Sequence, residues 1–531
     1  MSPRCLSIPI THSGKIQKLV SDYLSEIPEL QSFYSFSPQI ESFDTIIEGK
    51  SSFSALHREV LVKSLHQQYQ ECGIQHELVD QQIDSLSSTS TFTVTTGQQT
   101  GIFLGPLYTT MKILSTISLT RKLSELHPQN NFVPVFWMAT EDHDIEEINN
   151  VWIEGKKYVW ETQQKGAAGR LRTEGLSDLI SQITSQFGES PDEFKLAEIL
   201  KKAYSFENLS QATRYLVHAL FGDFGLVVID ADRQELKALF ASTIERDILN
   251  QTSSLESRKA IETLEKNYKV QVNGREINFF YLVDSYRERI VNIDEGFATQ
   301  DGNYSWTKEE LVARIQQHPE EFSPNVMMRP VYQETILPNL AYFGGGAEVS
   351  YWLELKSVFE AHHVQYPMLL LRNSGMVLDA KNHHRYNNLR LELSDLFLSK
   401  HELERKYVLL HGDDDLELKS SQVQLNQLLQ EIRRISSGID SSMEQSAEAL
   451  SARLNRDVDR FSKKLIREAK RKERNTENRI GQLYEQLYPT GTLQERKESV
   501  IGFIKQNGLN FLSDVLIEQN PIGNKFIVLL Y

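Results

Sequence analysis

Residues 92–144 constrain the fold more than any other stretch. They open on the β-branched run FTVTT at 92–96, which reads as a buried strand. A loop with three glycines follows, Gly97, Gly101 and Gly105. Pro106 then opens a helical segment to about Leu126, with Leu107, Met111, Leu114, Ile117 and Leu119 as its apolar positions. Proline suits a first helical residue because its missing N–H would be unpaired there. A second strand, 132–138, leads into Glu141, Asp142, His143 and Asp144. Strand, loop, helix and strand in succession predict a parallel sheet. Ligands of such sheets gather at the carboxyl ends of the strands, where both polar clusters fall.

The pattern recurs downstream. FGLVVID at 224–230 is a strand with Asp230 at its carboxyl end, followed by a helix through Leu236 and Leu239. Residues 245–325 alternate short strands with turns such as Asn273-Gly274 and Asp301-Gly302, the pattern of an inserted subdomain. The core resumes at 329–334. A strand at 340–343 then runs into Gly344, Gly345, Gly346, Ala347 and Glu348, a helix carrying Tyr351, Trp352 and Leu355, and a strand at 367–371. An α/β core over 1–412 is expected, with insertions at about 155–205 and 245–325.

A net charge of −15 argues against a general nucleic-acid binder. Cys5 and Cys72 are the only cysteines, which excludes a disulfide framework and a cysteine metal cluster. The first ten residues lack a signal-peptide core, and no run approaches the roughly 18 apolar residues of a membrane span. A soluble cytoplasmic protein is the expectation.

Neither glycine loop fits a nucleotide fingerprint: 97–105 is not G-x-G-x-x-G and lacks the Lys-Ser/Thr of a P-loop. A glycine loop at a helix start still offers N–H donors to phosphate or carboxylate. The other reading is a tight turn packing helix on strand. Glu141, Asp142, His143 and Asp144 have three readings: a metal site, an acid–base pair in which a carboxylate orients His143, or a solvated helix start. Adjacent side chains do not all point one way, so no metal is assigned. The pairs His362-His363 and His383-His384 read as surface or interface residues.

Residues 413–488 differ in kind. Leu425, Leu428, Ile432, Ile435 and Ile439 are spaced 3, 4, 3, 4, a heptad seam. Gly438 interrupts it, and SSME at 441–444 reads as a capping box opening a new helix. Met443, Ala447, Leu450, Leu454, Val458, Phe461, Leu465 and Ala469 follow at near eleven-residue periodicity, and Ile480, Leu483 and Leu487 continue the seam. An antiparallel helical hairpin turning near 436–440 is expected, with 489–531 returning to the core. Between Arg453 and Arg479 stand 11 basic and 5 acidic residues, either a solvated coil face or a surface for the phosphates of a nucleotide.

Four segments together resemble one family, the bacillithiol biosynthesis cysteine-adding enzyme BshC: TGQQTGIFLGPLY at 96–108, FWMATEDHD at 136–144, YFGGGAE at 342–348 with Tyr351, and LYPTGTLQER at 487–496. Gly346 departs from the proline expected there, a change that would loosen the loop. The resemblance implies a Rossmann-like core with inserted connecting segments and an antiparallel coiled coil that forms a homodimer. It implies a cysteine ligase that joins the carboxyl of L-cysteine to the amine of glucosaminyl malate. A nucleotide pocket beside the coil also goes with the family.

The chemistry follows. A carboxylate forms no amide at neutral pH until its oxygen becomes a leaving group, and ATP is the obvious activator. Gly97, Gln98, Gln99, Gly101 and Gly105 are the candidates for anion contacts. His143, with Asp142 or Asp144, is the candidate acceptor of the amine proton. Arg329 would clamp a carboxylate or close an internal ion pair. Glu348 and Tyr351 would hold the cysteine ammonium or sugar hydroxyls, with Glu141, Gly344 and Gly345 beside them. Tyr484 and Tyr488, four apart on a helix, would offer adenine a face, with Gly491 and Arg496 toward the phosphates of ATP or ADP; helix-end packing accounts for the tyrosines equally. A different class, a non-catalytic nucleotide-binding scaffold, fits the coil and the divergent loops too.

Overall fold

The computed structural model describes residues 4–272, 274–411, 418–472 and 474–531. Asn273 of the expected turn, the start of the coil at 413 and the side chain of Ala469 lie outside the described residues. The chain divides into two units, residues 1–376 with 494–529, and 377–493 with 530–531.

The first unit is organised on five strands: β1 (Thr91–Gln99), β2 (Asn131–Ala139), β3 (Val227–Asp230), β4 (Asn339–Gly344) and β5 (Met368–Leu371). Their spatial order is β5-β4-β1-β2-β3, and each adjacent pair is parallel. This is a Rossmann-like order, and it reverses between β1 and β4, where such folds place their ligands. The helix α1 (Leu107–Leu126) links β1 to β2. Its five expected apolar positions are all buried, each contributing about 1.5–3 kcal/mol. The threonines of β1 are buried but satisfied: Thr93 and Thr95 donate to Asn339 Oδ1 at 3.1 and 2.8 Å, and Asn339 donates to Glu334.

Two local differences from the expected pattern matter. β1 runs three residues past its β-branched stretch, so Gly97, Gln98 and Gln99 are strand residues opposite Trp137, Met138 and Ala139 rather than loop residues. The buried ladder carries them because β2 offers partners to its end. Pro106 caps α1 in extended geometry instead of opening it.

Between β2 and β3 the chain builds a short helix, Ile145–Ile148, a hairpin, Asn150–Ile153 with Lys156–Val159, and three longer helices, Leu176–Thr184, Pro191–Ala203 and Leu209–Phe221. Between β3 and β4 come five α-helices, Gln234–Ala238, Ala241–Asn250, Thr252–Leu264, Lys308–Gln317 and Met328–Ile336, and a five-stranded antiparallel sheet ordered Ser305–Trp306, Gly296–Thr299, Tyr286–Ile293, Phe279–Val283, Phe322–Pro324. His362, expected at the surface or at an interface, is buried within the first unit against Asp247 at 3.3 Å.

In the second unit Lys419–Ser437 and Ser441–Lys472 form an antiparallel pair of helices. Gln422 meets Asp459 at one end and Arg433 meets Glu448 at the other. The cap is Asp440, whose Oδ1 accepts the Met443 amide at 2.8 Å, rather than Ser441. The seam is also rotated. Leu425, Leu429, Ile432 and Ser436 turn inward, while Leu428, Ile435 and Ile439 are 54%, 54% and 64% exposed. Met443 and Phe461 of the second helix are exposed as well. No described helix is long and apolar enough to cross a membrane.

Candidate functional site

A cavity of about 720 Å³ lies at the carboxyl ends of β1, β2 and β4, with a wall from the inserted antiparallel sheet. That volume suits a small-molecule site. Gln98, Gln99, Glu141, Asp142 and His143 line it together with Arg329, Gly345, Glu348 and Tyr351. Its charge opposes that of the chain: Lys112, Arg275, Arg287, Arg289, Arg329, Arg372 and Arg496 face it against Glu141, Asp142, Glu147 and Glu348. A cation-rich cleft in an acidic protein concentrates anionic ligands.

The floor is built at the reversal of strand order. Lys112, from α1, donates to Gly97 O and Gln98 Oε1, both at 2.9 Å, and pairs with Glu348. Glu348 also accepts from Tyr342 Oη at 2.7 Å and from the Gly345 amide at 2.8 Å. Burial opposes the Glu348 charge, but Lys112 outweighs it and holds the carboxyl below its usual range. Glu348 therefore ties β1, α1 and β4 together, and it caps the loop that Gly346 was expected to loosen. Gly344 is required here, since a Cβ would come within 2.9 Å of Glu348 Cβ.

Gln99 Nε2 bridges the carboxylates of Asp142 and Glu147, 2.6 Å from each. Burial works against the charge of Asp142, but His143, Gln99 and Arg287 prevail and keep its carboxyl well below the usual range. Glu141 turns to Lys237, with burial pushing its carboxyl up. Asp144 caps the short helix Ile145–Ile148 through the Glu147 amide and does not line the cavity. The four residues of the acidic run thus turn to different partners, and their ligand atoms do not converge on a metal site.

Arg329 is the cation best placed for a ligand. Its hydrogen-bond partners are neutral, Gln333 Oε1 at 3.1 Å and Tyr351 Oη at 3.4 Å, and it packs over Trp137 and Tyr342. The internal ion pair weighed for it is not formed among the described residues. Arg372, by contrast, is committed to Glu495 through two bonds of 2.8 and 2.9 Å.

Gly101 and Gly105 are not brought to the cavity. Donors of this loop and of the helix start it leads into are already engaged: Gly105 N to Ile102 O within the loop, and Phe103 N to Tyr204 Oη and Leu107 N to Glu498 O outside it. The tight-turn reading holds for this loop, and Gly105 supplies its φ of 60°. Tyr484 and Tyr488 stack on each other at 4.6 Å, and Tyr488 is buried with its hydroxyl donated to Leu396 O. They and Gly491 belong to the second unit, whereas Arg496 lines the cavity of the first. A separate cavity of about 580 Å³ in the second unit is lined by His401, Arg405, Lys419, Asp459, Lys463 and Arg467, among others, but not by the tyrosine pair.

Sequence reasoning missed Lys112 and Arg287. Lys112 is the lone charge in residues 107–120, and a solitary lysine in an otherwise apolar helix was the available signal. Arg287 reaches the site from 144 residues beyond His143 and has no local signature.

A Rossmann-like sheet with a cation-rich cavity at its reversal point and a helical hairpin appended define the class: an α/β small-molecule-binding protein with a coiled coil. The particulars come from comparison. Residues 1–373 match the bacillithiol biosynthesis BshC N-terminal Rossmann-like domain, and residues 375–531 the BshC C-terminal coiled-coil domain. The chain belongs to the BshC family. Relatives bearing the name "Putative cysteine ligase BshC" include proteins of Christiangramia forsetii (39% identical, 100% of this chain and 99% of the relative), Flavobacterium johnsoniae (37%, 97% and 98%) and Flavobacterium psychrophilum (36%, 97% and 98%).

Proposed function

We propose that the chain is a cytoplasmic cysteine ligase that joins the carboxyl of L-cysteine to the amine of glucosaminyl malate, forming bacillithiol. The observation that carries this is Arg329, a cation with neutral hydrogen-bond partners facing a cation-rich cavity at the reversal of the sheet. The malate carboxylates give such a cation its partner, and a guanidinium binds a carboxylate through two parallel hydrogen bonds. The family name of its relatives supports the reaction class.

In this reading Tyr351 shares the carboxylate with Arg329, and Gln98 and Gln99 border the sugar. Glu348 is already occupied by three donors and acts by positioning β1 against β4. ATP supplies the leaving group that a carboxylate lacks. Arg496 faces phosphate in the cavity. A nucleotide is also proposed in the coil-side cavity, where Arg405, Lys419, Lys463 and Arg467 outnumber Asp459. The exposed Leu428, Ile435 and Ile439 of the first coil helix and its turn, and Phe461 of the second helix, are proposed to be covered by a second copy, making a homodimer. Titrating glucosaminyl malate into the wild type and into Arg329→Met tests the site. Binding that weakens at least tenfold supports it, and equal affinity places the substrate elsewhere.

A further inference from the structure

We propose that Arg287 fixes His143 as a neutral imidazole with its hydrogen on Nε2, so that in the ligase reaction proposed above His143 donates a hydrogen bond instead of accepting the amine proton. The proposal rests on that reading for the reaction and on geometry alone for the tautomer.

Arg287 sits on Tyr286–Ile293 of the inserted sheet, and its Nη1 lies 2.7 Å from His143 Nδ1. A guanidinium carries five N–H donors and no acceptor. Nδ1 must therefore present its lone pair, which leaves the single proton of a neutral ring on Nε2. The competing group is Asp142, whose Oδ1 would favour a proton on Nδ1. It lies 3.7 Å away, too far for a hydrogen bond, and already accepts the backbone amide of His143 at 2.7 Å. The short contact decides.

Arg287 is held in place from two further directions. Its Nε and Nη2 reach Ser323 Oγ at 3.3 and 3.2 Å, and its guanidinium lies 3.8 Å from the centroid of Phe280. The same ring flanks His143 at 5.8 Å. A proton on Nδ1 would face the Nη1–H of Arg287, and an imidazolium would add a second positive charge at that distance.

A neutral imidazole in this state serves as a donor to developing charge. When the glucosamine amine adds to the activated cysteine carboxyl carbon, a C–N bond forms and negative charge collects on the carbonyl oxygen. The bond from that carbon to the activating phosphate oxygen then breaks, phosphate leaves with the electron pair, and the amine proton passes to water. His143 keeps its own proton throughout, and Arg287 is a positioning residue.

Nitrogen-15 NMR of the full chain labelled at histidine tests the tautomer, with the His143 signals assigned by their loss in His143→Gln. The expected spectrum has a protonated Nε2 and a bare Nδ1, a mixture of tautomers in Arg287→Met, and the wild-type pattern again in Arg287→Lys. A protonated Nδ1 in the wild type, or no change in Arg287→Met, overturns the proposal. The donor role is read from turnover. His143→Gln keeps an N–H near the Nε2 position and should exceed His143→Ala at least tenfold in kcat, whereas equal loss refutes it. Absence of bacillithiol with the wild type would remove the ligase reading and the donor role together, while the NMR pattern still decides the lock.

Discussion

Lys112 and Glu348 meet at the point where the strand order reverses, one from the helix after β1 and the other from the helix after β4. The pair fixes the spacing of the two strand ends that border the cavity. Removing one partner of a buried pair strands the other, so Lys112→Met should destabilise the fold by roughly 3 kcal/mol. The double variant Lys112→Met with Glu348→Gln should recover part of that in urea unfolding. Additive losses would show that the pair is not coupled.

Arg329 offers the clearest test of substrate contact. Arg329→Lys keeps the charge but loses the planar fork. It should raise KM for glucosaminyl malate by about ten- to a hundredfold, the range of a charge-assisted contact of about 1.5–3 kcal/mol. KM for cysteine should change less. A selective rise in the cysteine KM would reassign Arg329 to the other carboxylate.

Burial pushes Glu354 up from 4.5 to about 7, although it accepts the Gln271 amide at 3.2 Å. Its folded-state value exceeds the unfolded one, so the folded chain holds more protons between pH 4.5 and 7 and stability falls as pH rises through that window. Glu354→Gln should be more stable than wild type at pH 7.5, by up to about 3 kcal/mol, and should lose part of the pH slope. Glu334, raised by burial to about 7 as well, keeps the remainder. Urea midpoints at pH 5 and 7.5 read this directly, and an unchanged slope refutes it.

Ile435→Glu with Ile439→Glu places two charges on the exposed coil stripe without touching the inward seam. Light scattering should report a monomer with unchanged helicity. A variant that stays dimeric excludes this face as the interface.

Lys463→Ala with Arg467→Ala should weaken ADP binding and flatten its salt dependence, because charge attraction is screened within roughly 8 Å at physiological ionic strength. Tyr488→Phe, altering a buried ring, should leave ADP affinity unchanged. The reverse outcome would return the nucleotide to the tyrosine pair.

The sheet was legible because local pattern dictates it. The β-branched run of β1, the apolar positions of α1 and the acidic residues after β2 all signal through near neighbours. The cavity was legible on the side those strand ends provide, and at Arg329 and Arg496 beyond them. Arg287 and Arg289 come from an inserted sheet whose approach to β2 is a tertiary fact. The glycine loop misled because its donors look free in sequence, while Tyr204 and other distant groups take them up. The coil register misled because two apolar stripes run side by side, and spacing alone does not say which one faces the partner helix.

The central claim is amide formation in the cavity at the reversal of the sheet. Purified chain incubated with glucosaminyl malate, L-cysteine and ATP, followed by mass spectrometry, tests it most directly. The expected result is a product heavier than glucosaminyl malate by cysteine less one water, requiring all three compounds and formed far more slowly by Arg329→Met. Glucosaminyl malate left unchanged by the wild type, or converted equally by Arg329→Met, would contradict it.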